Sequence, residues 1–368
     1  MTLEVDNIKS IDDIEKYMDG EKEEVELLNE EGTFIQTKDY FSSLKEDLDN
    51  FNEQAWNKGD GYKTPNFPMI HEKLEGIDEG LYLFPAESNA GKSAMMTNVL
   101  EDLVMCESNK LFGLYFSLDD SKNEIIPRII AMREGARIST IAKPKRAKNI
   151  IEKQEIDPSE IMRLEEELEK REKGIQKLKD SSNKLMLIDS NEVRTLKDIE
   201  ECIDRVYNYI KAIDPEMNLA IAIDSIKDIA LDDNSKNKNE ESDYIAKEVK
   251  HWTVKYKCPI FSSVHLRKLN GNRRPTLDDL KDSNVLVYEA SVIWLLFNDV
   301  SKNKQSAKIY QQEPNSVEKQ QVIELDWAKN KKSSFKGRTF CYFAPEMSRA
   351  KECGKAATER FNALLFEA

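Results

Sequence analysis

The chain has 368 residues, of which 39% are hydrophobic and 34% are charged. This length and apolar content suffice for one large core or two modest ones, which excludes general disorder. The 55 basic and 69 acidic residues give a net charge of −14, which argues against a protein whose whole surface coats nucleic acid but leaves room for a local basic channel.

The cysteines and the N-terminus favour a cytoplasmic protein. The five cysteines are scattered without CxxC spacing, as is typical of reduced thiols, and the three histidines form no cluster with cysteine that would bind zinc. No run of 18 apolar residues is present, and the N-terminus is acidic where a secretory signal would be basic and then apolar. We therefore expect neither secretion nor a membrane span.

The first 60 residues predict two segments that precede the main domain. Residues 1–38 are acidic and contain few large apolar side chains, which is typical of a mobile arm or a docking peptide. In residues 39–60, large apolar side chains from Tyr40 to Trp56 recur at roughly helical intervals before the turn signal KGDG. This pattern predicts a helix that docks on another surface.

Residues 61–346 predict an α/β domain. Apolar runs alternate with amphipathic segments, and these runs are GLYLF, KLFGLYFSL, KLMLID, LAIAID, PIFSSV, SVIWLLF, VIELDWA and RTFCYFA. Such alternation indicates a mostly parallel sheet covered by helices. Residues 347–368 form a C-terminal tail, whose end RFNALLFEA is either an amphipathic segment for a partner or a final helix packed on its own domain.

The stretch PAESNAGKS, residues 85–93, has the context of a phosphate-binding loop, because a strand precedes it and a helical segment follows. The usual first glycine of that loop is missing. Backbone N–H groups at the helix start would cradle phosphate oxygens, Lys92 would reach the β- and γ-phosphates, and Ser93 would hold Mg²⁺. The predicted nucleotide contacts are Ala86, Glu87, Ser88, Asn89, Ala90, Gly91, Lys92, Ser93 and Ala94.

Three other predicted strands end in polar side chains that would meet at the same edge of a parallel sheet. Asp224 follows LAIAI and would reach Mg²⁺ through water. Asp119 and Asp120 follow KLFGLYFSL, where a carboxylate orients or deprotonates a water molecule or, alternatively, caps the next helix. His265 follows PIFSSV and either senses the γ-phosphate or is an ordinary histidine at a strand end.

The order of these motifs resembles that of the C-terminal motor domain of DnaB-type replicative helicases, which are RecA-like ATPases. Alanine is common in that family where Ala86 stands, and Asp119 stands where the family has a catalytic glutamate. The segments that carry the resemblance are GLYLFPAESNAGKSAMMTN, LYFSLDDSKNEIIPRIIAM, LAIAIDSIKDI, PIFSSVHLRK and RPTLDDLKDSNVLVYEASVIWLLFND, which together extend over about residues 60 to 345.

The resemblance implies an ATP-dependent replicative helicase that forms a hexameric ring around single-stranded DNA, with a primase or helicase loader as a candidate partner. The absence of the family's N-terminal scaffold suggests a phage or mobile-element member in a bacterial or phage-infected cell, with residues 39–60 as linker helix. Lys281, Asp282 and Asn284 fall where the family holds the DNA backbone. Lys329 and Lys331 fall where a neighbouring subunit offers basic side chains to the γ-phosphate.

Four positions depart from the family pattern. Asp119 replaces glutamate, His265 replaces the glutamine of bacterial members, Lys331 replaces arginine, and Asn284 replaces glycine. Three of these residues would surround the γ-phosphate, so the changes bear on hydrolysis more than on nucleotide binding. Two further functions stay open: a RecA-like recombinase that forms filaments, and an assembly protein that binds ATP with little hydrolysis.

Overall fold

A computed structural model describes residues 27–28, 34–35, 48, 51–52, 60–231, 238–269, 271–312 and 318–366. The chain divides into two units, Met1–Gly59 and Asp60–Ala368. In the first unit, Leu27–Leu28 pairs antiparallel with Phe34–Ile35, and Leu48 and Phe51 are helical and exposed. The remainder of the predicted arm and linker helix lies outside the described residues.

The described part of the second unit is built on a nine-stranded sheet of order β9-β8-β7-β6-β1-β5-β4-β2-β3. The strands are β1 (Gly80–Ala86), β2 (Leu111–Ser117), β3 (Leu185–Asp189), β4 (Asn218–Asp224), β5 (Pro259–His265), β6 (Val292–Asn298), β7 (Gln321–Asn330), β8 (Arg338–Ala344) and β9 (Arg349–Glu352). The strands from β6 to β3 are parallel, whereas β7, β8 and β9 extend one side antiparallel. The predicted α/β fold with a mostly parallel sheet is confirmed.

Helices cover both faces of this sheet. The helices are α1 (Pro68–Leu74), α2 (Lys92–Met105), α3 (Lys122–Glu134), α4 (Ile138–Ala142), α5 (Pro144–Lys153), α6 (Pro158–Asp180), α7 (Leu196–Ile213), α8 (Lys238–Lys255), α9 (Asn284–Glu289), α10 (Asp299–Asn303) and α11 (Lys355–Phe366). No helix in the described ranges is long and apolar enough to cross a membrane.

The side chains of β1 alternate between the two cores because successive residues of a strand point to opposite faces. Tyr82 and Phe84 pack in the core that contains α2, and Leu81 and Leu83 pack in the core that contains α7 and α8. Both faces of β1 are therefore buried, which fixes its carboxyl end. That end carries the start of the predicted phosphate loop.

The C-terminal residues belong to the same unit. Strand β9 pairs with β8, and Phe361 of α11 is buried against Phe340, with ring centroids 5.2 Å apart. Of the two interpretations of the end of the chain, the structure therefore shows a helix packed on its own domain. The apolar patterns did not predict β9, because its four residues alternate exposed and buried and include the buried acid Glu352.

Glu352 joins the last strand to the first helix of the domain. Its carboxylate accepts hydrogen bonds from the backbone N–H groups of Met69, at 2.6 Å, and Ile70, at 3.2 Å, which lie in the first turn of α1. Burial raises the pKa of Glu352 to about 7, and Asp102 and Glu72 add to this increase. The folded chain therefore binds this proton more tightly than an unfolded chain, in which the pKa is near 4.5.

We expect the free energy of unfolding to fall as the pH rises from about 4.5 to 7, because the folded state holds the proton that the unfolded state has already lost. Between pH 5 and pH 8, the wild-type chain should lose about 2 to 3 kcal/mol relative to Glu352→Gln, which has no titrating group there. Denaturant unfolding of both proteins at the two pH values measures this difference. Parallel pH profiles for the two proteins would contradict it.

Candidate active site

The loop between β1 and α2 has the shape that a phosphate-binding loop requires. Gly91 has φ of 99°, and a Cβ atom there would lie 2.7 Å from Cδ1 of Ile323, so both the backbone and the space demand glycine. Ala86, at the position of the missing glycine, is a buried residue of β1 paired with His265 in β5. Because the backbone is an ordinary strand at Ala86, that position needs no glycine.

Lys92, the first residue of α2, is only 5% exposed. Its Nζ donates to the carbonyl oxygen of Glu87 at 3.1 Å, so the lysine folds back over its own loop. Burial lowers the pKa of Lys92, and the negative charges of Asp224 and Asp119 oppose that change. The structure therefore brings together the three charged side chains that the sequence selected for phosphate, metal and water.

Asp224 ends β4 and is 6% exposed. The hydroxyl of Tyr115 donates to its Oδ2 at 3.0 Å, and the hydroxyl of Ser263 donates to its Oδ1. Burial, together with the charge of Asp224, raises the pKa of Tyr115 well above its usual value, which keeps this hydroxyl protonated. The two hydroxyl groups, from β2 and β5, thus fix the orientation of the carboxylate.

The two aspartates after β2 have different surroundings. Asp120 forms an ion pair with Arg128, and its carbonyl oxygen accepts the hydroxyl of Ser117 at 2.5 Å. The cap of α3 is Ser121, which forms a capping box with Glu124, so neither aspartate caps that helix. Asp119 is exposed and has no side-chain hydrogen bond to another described residue, which leaves its carboxylate accessible to a water molecule.

The segment after β5 is hydrogen-bonded to the phosphate loop. His265 is exposed beside Ala86, and the N–H of Leu266 donates to the carbonyl oxygen of Ala86 at 2.9 Å. The N–H of Leu269 donates to Oε1 of Glu87 at 2.8 Å, and the other carboxylate oxygen of Glu87 contacts Nζ of Lys302 at 2.6 Å. Glu87 therefore links the loop to α10 and to the chain that leads toward the predicted DNA loop.

The predicted DNA-binding residues lie at a separate turn. Lys281 and Asp282 belong to a 3-10 helix, Leu277–Ser283, and their side chains lie outside the described set, whereas Asn284 is exposed at the start of α9. The guanidinium of Arg274, upstream of this turn, forms two hydrogen bonds with the buried carboxylate of Glu324 in β7, at 2.7 and 2.6 Å. This ion pair anchors the loop to the sheet.

Lys329 and Lys331 lie at the opposite edge of the sheet from Lys92. Lys329 pairs with Ile293 in β6, and the N–H of Lys331 donates to the carbonyl oxygen of Ser291, which precedes β6. The hydroxyl of Ser291 accepts a hydrogen bond from the N–H of Leu81, at the start of β1. The phosphate loop begins at the other end of β1, which is about 20 Å from this start at about 3.3 Å per residue. Within one chain, these lysines do not join the group around Lys92.

The residues near Lys92 fit a magnesium ion that is bound with a nucleotide. No group of three or more His, Cys, Asp or Glu in the described ranges could hold a metal by itself. Mg²⁺ commonly takes one or two protein oxygen ligands and fills its other positions with phosphate and water. Ser93 would supply a hydroxyl oxygen to such a site, and the carboxylate of Asp224 would reach the ion through water.

Removing the Tyr115 hydroxyl should weaken nucleotide binding that depends on Mg²⁺. In Tyr115→Phe the Asp224 carboxylate loses one orienting donor, so we expect about tenfold weaker ATP affinity with Mg²⁺ and little change without it. Tyr82→Phe is a matched control, because the Tyr82 hydroxyl bonds to Asp78 at the other edge of the sheet. Equal affinities of the two variants in ATP titrations would rule out the orienting role.

Comparison with known proteins identifies the family of this chain. Residues 64–351 match a family model described as the DnaB-like helicase C-terminal domain. A search of curated proteins found no match. Among solved structures, an ATPase domain superposes with a TM-score of 0.68 at 17% identity, covering 85% of this chain and 100% of that one.

A second solved structure, of a DnaB-like replicative helicase studied with its interactions with primase, superposes with a TM-score of 0.65 at 17% identity. This match covers 86% of this chain and 68% of the other. At such identities the two similarities show a shared fold. The family itself follows from the family model, which spans most of the chain.

Proposed function

Because the chain belongs to the DnaB-like helicase C-terminal domain family, we propose that it is an ATP-dependent replicative DNA helicase that moves along single-stranded DNA as a ring of six copies. The observation that carries this proposal is the group formed by Lys92, Asp224 and Asp119 at the phosphate loop. The lysines that would complete the site lie at the other edge of the sheet. An assembly of copies that brings these two edges together forms the whole site.

In this assembly each ATP lies between two copies of the chain. The backbone N–H groups at the start of α2 and the ammonium of Lys92 hold the phosphates, and Ser93 and Asp224 hold Mg²⁺. When bound, the metal ion neutralises part of the phosphate charge. Asp119 orients or deprotonates the attacking water, and Lys329 and Lys331 of the adjoining copy stabilise the charge that develops on the γ-phosphate.

Hydrogen bonds connect nucleotide binding to the DNA loop. Leu266 and Leu269 donate to Ala86 and Glu87 of the phosphate loop, and the same segment continues toward Lys281. A shift of the loop around the triphosphate therefore displaces the start of the DNA-binding segment. Hydrolysis in successive copies passes the strand from one loop to the next.

The acidic composition is compatible with DNA in the centre of such a ring. The net charge of −14 describes the whole chain, whereas the proposed contacts are confined to the turn that contains Lys281, Asp282 and Asn284. Six copies of a few backbone contacts add up to a strong electrostatic attraction that falls steeply with salt and depends little on base sequence.

The domain boundaries are part of the same proposal. We assign residues 61–346 to the motor, residues 1–38 to an acidic arm, residues 39–60 to a linker helix and residues 347–368 to a C-terminal tail. The described part of this tail, up to Phe366, folds on the motor through β9 and α11. A primase or a helicase loader is a candidate partner, because a structurally similar replicative helicase is described with primase.

Replacing Asp119 tests the chemical step. Asp119→Asn should lower ATP turnover at least about 100-fold while ATP still binds, because the water loses its base. Asp119→Glu, which restores the reach of the longer acid, should hydrolyse ATP at least as fast as the wild type. Asp120→Asn is the control, since Asp120 is paired with Arg128. Wild-type turnover in Asp119→Asn would assign the chemistry to another residue.

The whole proposal is tested by strand separation on a forked duplex with purified protein and ATP. We expect separation by the wild type, loss in Lys92→Ala because the phosphates lose their buried cation, and closed rings of six in electron micrographs. Filaments on DNA would indicate a recombinase instead. ATP binding with no turnover, with or without single-stranded DNA, would indicate an assembly protein. The observation that favours this alternative is Asp119 itself, because its side chain is shorter than the glutamate that the family uses for hydrolysis.

A further inference from the structure

Tyr288, near the end of α9, is the contact point of the two lysines at the far edge of the sheet. Nζ of Lys331 lies 5.2 Å from the centroid of its ring, and Nζ of Lys329 lies 6.0 Å away. Both ammonium groups also donate to the carbonyl oxygen of Tyr288 at 2.8 Å. A cation at this distance from an aromatic face is attracted by the ring, and carbonyls in the last turn of a helix lack partners within the helix.

The two ammonium groups converge although they repel each other. Burial and the charge of Lys331 lower the pKa of Lys329 to about 8, with a further contribution from Lys250, while Glu289 opposes the change. Within the described ranges, neither Lys329 nor Lys331 forms an ion pair with a carboxylate. The ring and the carbonyl oxygens at the end of α9 are therefore what hold this pair of cations together.

Packing does not account for an aromatic residue at this position. Tyr288 is 74% exposed and belongs to none of the described cores, so its ring contributes little to the stability of the fold. The ring lies within 6.0 Å of both ammonium groups. An exposed ring that contacts two converging cations is better explained by their placement than by folding.

We propose that Tyr288 is a positioning residue, whose ring holds Lys329 and Lys331 in the geometry in which they meet an incoming triphosphate. This inference rests on the proposed function, in which that triphosphate is bound by the neighbouring copy. A lysine pair held in place loses less side-chain freedom on meeting the phosphate. Because these lysines act on the charge that develops on the γ-phosphate, the gain lowers the free energy of the transition state rather than that of bound ATP.

The test compares three substitutions in the full chain by ATP turnover with single-stranded DNA. Tyr288→Phe keeps the ring and should stay within about twofold of the wild type. Tyr288→Ala and Tyr288→Leu should each lower kcat about 3- to 10-fold, with KM for ATP unchanged because each phosphate loop is intact. Thermal unfolding midpoints should not change, since the ring is exposed.

The outcomes separate this inference from the function on which it rests. Suppose that Tyr288→Leu and Tyr288→Ala turn over ATP as fast as Tyr288→Phe, while Lys329→Ala turns over ATP more slowly. The positioning role of Tyr288 is then overturned, and the helicase proposal stands. A rise in KM with unchanged kcat also overturns it. If Lys329→Ala and Lys331→Ala both match the wild type, the role of the lysines fails, and that of Tyr288 with it. Should the Ala variant unfold, equal rates of the Leu and Phe variants overturn the inference.

Discussion

The burial of the Lys92 ammonium is the constraint on which the candidate site depends. A cation is disfavoured both by loss of water and by the positive end of the helix dipole, and Lys92 is the first residue of α2. The carbonyl oxygen of Glu87 and the charges of Asp224 and Asp119 offset this cost. A site that concentrates buried positive potential in this way is suited to a highly charged anion, and a triphosphate fits it.

The sheet explains why the proposed site would not be completed within one chain. Carboxyl ends of parallel strands meet at one edge, so β1, β2, β4 and β5 deliver the phosphate loop, Asp119, Asp224 and His265 to the same place. The antiparallel strand β7 runs the other way and delivers Lys329 to the opposite edge. The length of the buried strands separates the two edges. In the account proposed here, the lysines that meet the triphosphate therefore come from another copy of the chain.

The sequence was sufficient to predict the fold and the convergence at the phosphate loop. Eight apolar runs marked eight strands. The polar residues after three of the parallel strands, Asp119, Asp224 and His265, fell at one edge because parallel strands align their ends. The hydroxyls of Tyr115 and Ser263 were missed because they lie inside apolar runs that read as core. The contact of Glu87 with Lys302 joins residues far apart in the chain, which local patterns do not reveal. The cap at Ser121 was obscured by the two aspartates before it.

The central claim, that one catalytic site is shared by two copies of the chain, is tested most directly by mixing two inactive proteins. One carries Lys92→Ala and the other carries Lys329→Ala with Lys331→Ala. In mixed assemblies, an intact phosphate loop of the second protein meets intact lysines of the first, so the account predicts ATP turnover well above that of either protein alone. Mixed assemblies that form and yet turn over no more ATP than the separate proteins would contradict it.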